Sequence, residues 1–383
     1  EFESVFTPRE YQNNAVVHAL KHERALLLSP TASGKSFIIY LLTRFYTETL
    51  DTKVLIVVPT TSLVEQMASD FTEYNGGEEL DVHKIRGGVD KNVDAQITIT
   101  TWQSVYKLRK DWFAKFGVVI GDEAHLFKSK SLESIMKKLT DCPYRFGFTG
   151  TLDGTLTHRL VLEGLFGPVE KVTTTSDLID SDHLAKFKIN IITLKYSDQT
   201  CNLLRRAKYQ DEIDFLVRND ARNRFIRNLC ISLEGNTLVL FNFVDKHGKV
   251  LYNMINDDET KHAFYVHGGV DGEERDHIRS IVEQSNEAVI VASYGTFSTG
   301  VNIRNLHNII FASPSKSRVR NLQSIGRGLR TAEGKTEARL FDIVDDLRHK
   351  QWKNYALEHF AERLKIYNEE KFPYKMYSVR LKE

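Results

Sequence analysis

Short apolar, β-branched runs alternate with helix-length amphipathic stretches through both halves of the chain. That rhythm leaves few folds open. A strand buried on both faces is apolar throughout, and parallel strands need long crossovers that are usually helical. The first half offers strands at Ala25–Leu28, Val54–Val58, Ile97–Thr100, Val118–Gly121 and Arg145–Thr149. The second offers Leu238–Phe241, Ala263–Val266, Ala288–Ala292, Asn308–Phe311 and Ala338–Asp342. Ser36–Tyr46, Leu63–Tyr74, Ala221–Leu233, Glu273–Gln284 and Arg318–Leu329 read as helices between them. The spacing predicts an α/β chain of two domains, each a mainly parallel sheet flanked by helices, and 383 residues suffice for both. Between Gly167 and Lys188 the rhythm breaks into Thr173-Thr-Thr-Ser176 and mixed polar residues. The expected division is therefore 1–170 for the first domain, 171–188 for a linker and 189–383 for the second. Leu347–Lys371 reads as one long charged helix that ends before Pro373 and packs across the second domain.

Composition narrows the class. No apolar run approaches the roughly 20 residues of a membrane helix, so no membrane partner is expected. Cys142, Cys201 and Cys230 are widely spaced without a CxxC pair, which argues against a zinc site or disulfides and fits a reducing cytoplasm. Net charge is +1, so any grip on a polynucleotide has to be local, from basic stripes and backbone amides. The chain opens Glu1-Phe-Glu3 rather than with methionine and without a signal peptide, which leads to the expectation of a trimmed chain.

Ser29-Pro-Thr-Ala-Ser-Gly-Lys-Ser36 follows an apolar strand and opens a helix. Consecutive backbone N–H groups at a helix N-terminus cradle phosphate oxygens. On that reading Ser29, Pro30, Thr31, Ala32, Ser33 and Gly34 form the cradle of an ATP site. Lys35 reaches the β- and γ-phosphates, and the Ser36 hydroxyl is placed to ligate Mg²⁺. Ser29 stands where the full pattern has its first glycine.

Farther along, Gly117-Val-Val-Ile-Gly121 leads into Asp122-Glu-Ala-His125. A hydrophobic strand ending in two carboxylates delivers them to the C-terminal edge of the sheet, where open α/β folds bind ligands. Asp122 suits Mg²⁺ through its water shell, Glu123 suits orienting and deprotonating the attacking water, and His125 suits coupling to the rest of the site. Taken alone, the pair could equally be an acidic strand end in solvent. A phosphate loop upstream favours ATP hydrolysis.

These motifs resemble the superfamily-two helicases with an Asp-Glu-Ala-His box, and the resemblance extends over nearly all of the chain. It implies two tandem RecA-like domains. Arg9, Tyr11 and Gln12 in Pro8-Arg-Glu-Tyr-Gln12 resemble the element that reads adenine. Val58-Pro-Thr60 with Gln66, Gly87-Gly88 and Thr100-Thr-Trp-Gln-Ser104 resemble the strand-contacting motifs, and Thr149-Gly-Thr151 resembles the coupling motif. Ser293 to Ile303 resembles the motif that touches nucleotide and nucleic acid together, which implies Gly300 and Asn302 at the nucleotide. Gln323-Ser-Ile-Gly-Arg-Gly-Leu-Arg330 resembles the arginine-finger helix. Val57-Val-Pro-Thr-Thr61 and Ala292-Ser-Tyr-Gly295 with Phe297-Ser-Thr-Gly300 are most similar to phage recombination helicases, which carry a further domain N-terminal to these two.

Gln323, Arg327 and Arg330 fall on one helical face, and their guanidinium groups suit the charge on a transferring phosphoryl group. They lie far along the chain from Lys35, so only a cleft closing between domains brings the two together. Thr60, Thr101, Gln103 and Ser298 suit sequence-independent contacts to sugar and phosphate, as do Lys316 and Arg318 if they are more than surface charge. Trp102 is either a base-stacking residue or core. The sequence thus leads to an ATP- and Mg²⁺-dependent helicase or translocase on branched DNA, with RNA–DNA hybrids a further substrate and a monomer the expected state. The alternative within the class is an RNA helicase. A nucleotide-gated module without catalysis would need a broken site, and Lys35, Asp122, Glu123, Arg327 and Arg330 are all present.

Overall fold

The computed structural model describes residues 5–382 apart from Thr31, Val93, 153–154, Asp182, Glu259, 297–302, Arg304, 314–316 and 318–336. The chain forms two compact units, Glu1–Thr174 and Thr175–Glu383.

Unit 1 holds β1 (Arg24–Leu28), β2 (Val54–Val58), β3 (Val82–Ile85), β4 (Ile97–Thr101), β5 (Val118–Asp122), β6 (Tyr144–Thr149) and β7 (Val169–Lys171). They build a seven-stranded parallel sheet in the order β3-β4-β2-β5-β6-β1-β7. Among its central strands β2 is apolar on every residue, because both of its faces are covered. Leu27, Ile56 and Ile120 face the helices Glu10–His22, Lys35–Thr49 and Thr61–Tyr74, packing on Ala19, Ile38 and Phe71. Their neighbours Leu26, Leu55 and Val119 face the other way, onto Ile135, Leu162 and Phe166. Phe166 presses so closely on β5 and β6 that a Cβ at Gly121 or Gly147 would lie 2.8–2.9 Å from its ring or that of Phe127. Burying such a ring contributes about 1.5–3 kcal/mol, and the two glycines make the approach possible.

Unit 2 repeats the plan with β8 (Lys186–Lys195), β9 (Thr237–Phe241), β10 (His262–Val266), β11 (Ala288–Ser293), β12 (Asn308–Phe311), β13 (Glu337–Asp346) and β14 (Tyr374–Arg380). The order is β10-β11-β9-β12-β13-β8-β14, again parallel. Two buried ion pairs rise from β13. Asp345 receives Arg222 Nε at 2.8 Å and Tyr196 OH at 2.7 Å, while Asp342 receives Arg363 Nη2 at 2.8 Å and Tyr367 OH at 2.8 Å. They tie the helices Asp220–Ser232 and Tyr355–Glu369 to the sheet.

One expected element is shorter. The helix anticipated over Leu347–Lys371 spans only Tyr355–Glu369. Asn354 ends the preceding loop by bonding Leu347 N at 3.1 Å and Asp345 O at 3.0 Å, which replaces a helical turn there. Segment 171–188 contains the helix Thr175–Asp180 and the start of β8. The expected helix Arg318–Leu329 lies outside the described residues.

Candidate active site

β1 ends at Leu28, and the chain turns through Ser29-Pro30 to Gly34 before the helix Lys35–Thr49 begins. The turn needs left-handed backbone at Ala32 (φ 68°) and Gly34 (φ 75°). No side chain caps the helix, so its first N–H groups and their partial positive charge remain available to an anion.

Hydrogen bonds hold the loop from three sides. Ser29 Oγ and Ser33 Oγ lie 2.6 Å apart, and Ser33 Oγ donates to Pro30 O at 2.7 Å. Ser29 N donates to Thr149 O at 2.9 Å, which joins the loop to the end of β6. Gln12 Nε2 and Tyr11 OH both donate to Ser33 O, at 3.0 and 2.9 Å. Gln12 Oε1 accepts Arg9 N at 2.9 Å, and Arg9 Nη1 reaches Tyr11 OH at 2.9 Å. Gln12 therefore has its amide engaged with the loop backbone. The serine at the first-glycine position needs no special backbone, since its φ is not positive, and its hydroxyl braces the turn.

β5 delivers Asp122 to the same edge, and Glu123 follows in a left-handed conformation at φ 50°, ψ 50°. Lys35 Nζ lies 2.9 Å from Asp122 Oδ1 and 3.0 Å from Glu123 Oε1. Burial disfavours the Lys35 charge, but the two carboxylates outweigh it and raise the ammonium above its usual range. Burial likewise opposes ionisation of Glu123, yet Lys35 and His125 outweigh it and hold that carboxyl well below the carboxylate range. Asp122 is pushed up, by burial first and by the neighbouring Glu123 charge. His125 Nδ1 sits 3.0 Å from Thr149 Oγ1 and 3.3 Å from Glu123 Oε2. Thr149 Oγ1 donates in turn to Thr151 O at 2.9 Å, so the three residues expected to couple do form one cluster.

Two participants carried no sequence signal. Tyr74 OH sits 2.8 Å from Ser36 Oγ, and His158 Nε2 lies 2.9 Å from His125 O. Elsewhere the expected polynucleotide contacts divide. Thr60 caps the helix Thr61–Tyr74 by accepting Leu63 N at 3.4 Å, and Thr101 Oγ1 lies 2.9 Å from Ser104 Oγ. Gln103 is exposed, whereas Trp102 is half-buried against the unit 1 core and meets Tyr106 edge-on at 5.9 Å. Thr31, Ser298, Gly300, Asn302, Lys316, Arg318, Gln323, Arg327 and Arg330 lie outside the described residues.

The oxygen donors Asp122 and Ser36 beside the loop fit a hard divalent cation. Among the described residues no three carboxylate, histidine or cysteine side chains group to hold a metal unaided.

Two family models match the chain. A family described as "Type III restriction enzyme, res subunit" matches residues 5–154, and "Helicase conserved C-terminal domain" matches residues 220–332. The chain is 38% identical over 391 residues to the ATP-dependent DNA helicase uvsW of Enterobacteria phage T4, across 98% of this chain and 78% of that one. It is 26% identical over 369 residues to the DNA 3'-5' translocase XPB2 of Sulfurisphaera tokodaii, across 88% and 81%. The ATP-dependent Type ISP restriction-modification enzyme LlaBIII bound to DNA shares the fold, with a TM-score of 0.72 at 17% identity over 98% of this chain and 32% of that one.

Proposed function

This chain belongs to the superfamily-two helicases, and from that premise we propose that it is an ATP-driven motor on branched DNA. The observation that carries the chemistry is the Lys35–Asp122–Glu123 cluster beside an uncapped helix N-terminus.

A triphosphate on the loop competes with the two carboxylates for Lys35. As Lys35 turns to the phosphate oxygens, Glu123 loses the neighbour that most strongly suppresses its basicity. Glu123 then orients the attacking water and accepts its proton, held in aim by His125 and Thr149. Ser36, and Asp122 through water, would hold Mg²⁺, which would supply charge neutralisation at the phosphates. Arg327 and Arg330 supply guanidinium charge to the transferring phosphoryl group, a contribution of about 10³–10⁵ in rate in related chemistry. We take 1–170 and 189–383 as the motor domains, DNA as the preferred strand, and the monomer in the cytoplasm as the working form.

ATPase assays across single-stranded, duplex, forked and four-way DNA and matching RNA test the reading. Forked or four-way DNA is expected to stimulate most. Strongest stimulation by single-stranded RNA would reassign the substrate. Glu123→Gln is expected to bind ATP without turnover, and Arg327→Ala likewise. Wild-type turnover by purified Glu123→Gln protein refutes the base.

A further inference from the structure

A basic and aromatic surface on unit 2 lies outside all the helicase motifs. β8 and β13 pair side by side and end at Lys195 and Asp346, on the C-terminal edge of the sheet. From β8 the chain passes through the helix Asp198–Leu204 into Arg205, Arg206, Lys208 and Tyr209. From β13 it passes through Arg348, Lys350, Trp352 and Lys353 to Tyr355. Neither 199–210 nor 347–357 contains an acidic residue, and all six of these cations are exposed.

The fold brings the two segments together. Tyr209 meets Tyr355 edge-on at 5.6 Å and His359 at 5.5 Å. Buried Glu212, on the helix that Tyr209 begins, accepts Asn354 Nδ2 at 3.0 Å, Tyr355 N at 2.9 Å and Ala356 N at 2.7 Å. Its charge is thus directed inward, away from the surface. Arg348 pairs with Asp346 at 2.6 Å, but among the described residues no carboxylate pairs with Arg205, Arg206, Lys350 or Lys353. Lys350 sits at φ 53° in a turn closed by His349 N to Trp352 O at 3.2 Å and Trp352 N to His349 O at 3.0 Å. Lysine rarely adopts that backbone, and strain of this kind collects at functional segments. Tyr209 and Tyr355 remain 44% and 38% exposed.

We propose that this surface binds a single-stranded stretch of the polynucleotide substrate, its phosphates on Arg205, Arg206, Lys350 and Lys353 and its unpaired bases on Tyr209 and Tyr355. Concentrated cations on a chain of net charge +1 mark a local anionic partner, and exposed rings beside them suit unpaired bases. The inference rests on the nucleic-acid motor reading and adds a contact beyond its motifs.

Fluorescence anisotropy with labelled single-stranded and duplex oligonucleotides, titrated with salt, tests it. Each single-strand phosphate contact contributes ~0.7 to the slope of log affinity against log salt, so R205A/R206A/K350A/K353A is expected to flatten that slope by about 3. From about 50 to about 200 mM salt the wild type then loses about 50-fold more affinity than the variant. A variant of equal charge loss, with Arg224, Lys249, Arg279 and Lys365 changed to alanine, is expected to keep the wild-type slope. Y209A/Y355A is expected to weaken single-strand binding about tenfold or more and to spare duplex binding. An unchanged slope in the first variant, or an equal change in the charge-matched one, overturns the surface while the motor reading stands. Equal loss on single strand and duplex overturns the stacking role. Polyglutamate binding as tightly as the oligonucleotide reassigns the surface to an acidic protein. Wild-type protein that binds no oligonucleotide overturns the motor reading itself.

Discussion

Gly34 sits where the phosphate loop has least tolerance, and Gly34→Ala is expected to fail for two separable reasons. Its backbone, at φ 75° and ψ 39°, is left-handed, which costs an L side chain about 1–2 kcal/mol. A Cβ there would also lie 2.3 Å from Gln12 Nε2. Gln12 is only 4% exposed, and its amide is bound to Ser33 O and Arg9 N. Displacing it strands buried polar groups at about 1–3 kcal/mol. Together the two terms give about 2–5 kcal/mol, and if the loop rather than the whole unit absorbs them, ATP affinity falls roughly 30-fold to several-thousand-fold.

Titration of a fluorescent ATP analogue against wild type, Gly34→Ala, Gln12→Ala and the double variant separates the terms. With Gln12 truncated the clash disappears and only the backbone cost remains. The effect of Gly34→Ala is then expected to shrink by about 1–3 kcal/mol, or roughly 5- to 150-fold in affinity. Additive effects within about 0.5 kcal/mol would show that the amide does not brace the loop, and the reasoning fails.

Asp346 gives a pH signature in unit 2. Burial raises its carboxyl, but hydrogen bonds from Arg348 and Lys195 outweigh that and hold it at about 2. The folded value lies below the unfolded ~3.9, so the stabilisation is present above about pH 4 and is lost as pH falls through about 2. With Arg348 half-exposed, about 1–2 kcal/mol is the discounted size. Asp346→Asn is expected to flatten the acid-unfolding curve over that window, followed by circular dichroism, and an unchanged curve refutes the assignment. Asp345→Ala leaves buried Arg222 uncompensated and is expected to destabilise unit 2 by about 3–5 kcal/mol in denaturant, far more than an exposed substitution. Burial pushes the Cys142 and Cys230 thiols up to about 12, so both are expected to resist a thiol reagent at pH 8 until the chain unfolds. Prompt labelling of the native protein contradicts their packing.

The strands most legible in the sequence were those buried on both faces. Val54–Val58 is apolar on every residue because helices cover it on both sides, and its bounds in the structure match those read from the pattern. β14 gave no such signal, since it lies at the sheet edge with six of its seven residues exposed. β8 was hidden for the opposite reason. Lys-Phe-Lys-Ile-Asn-Ile alternates polar and apolar residues, and charged positions at its exposed start masked the strand. At the site, Lys35, Asp122 and Glu123 were legible because their order along the chain fixes which strand ends present them. Tyr74 and His158 were not, because each reaches the cluster from a helix packed against it, a contact that spacing does not encode.

Strain and hydrogen bonding at this site belong to one arrangement. Ala32, Gly34 and Glu123 all hold left-handed backbone, and for Ala32 and Glu123 that conformation is unfavourable by about 1–2 kcal/mol each. The contacts that oppose it form a connected path. It runs from Gln12 and Tyr11 through Ser33 O and Ser33 Oγ to Ser29, from Ser29 N to Thr149 and from Thr149 to His125, whose ring then meets Glu123 Oε2 by charge at 3.3 Å rather than by a hydrogen bond. At about 1 kcal/mol per bond, releasing either end relaxes conformations that the rest must then hold alone. A change at Gln12, about one hundred residues from Glu123 in sequence, therefore acts on the aim of the carboxylate as well as on the nucleotide. Substituting Thr149 with valine cuts the path at its middle while preserving shape, so turnover there should fall more than ATP affinity does.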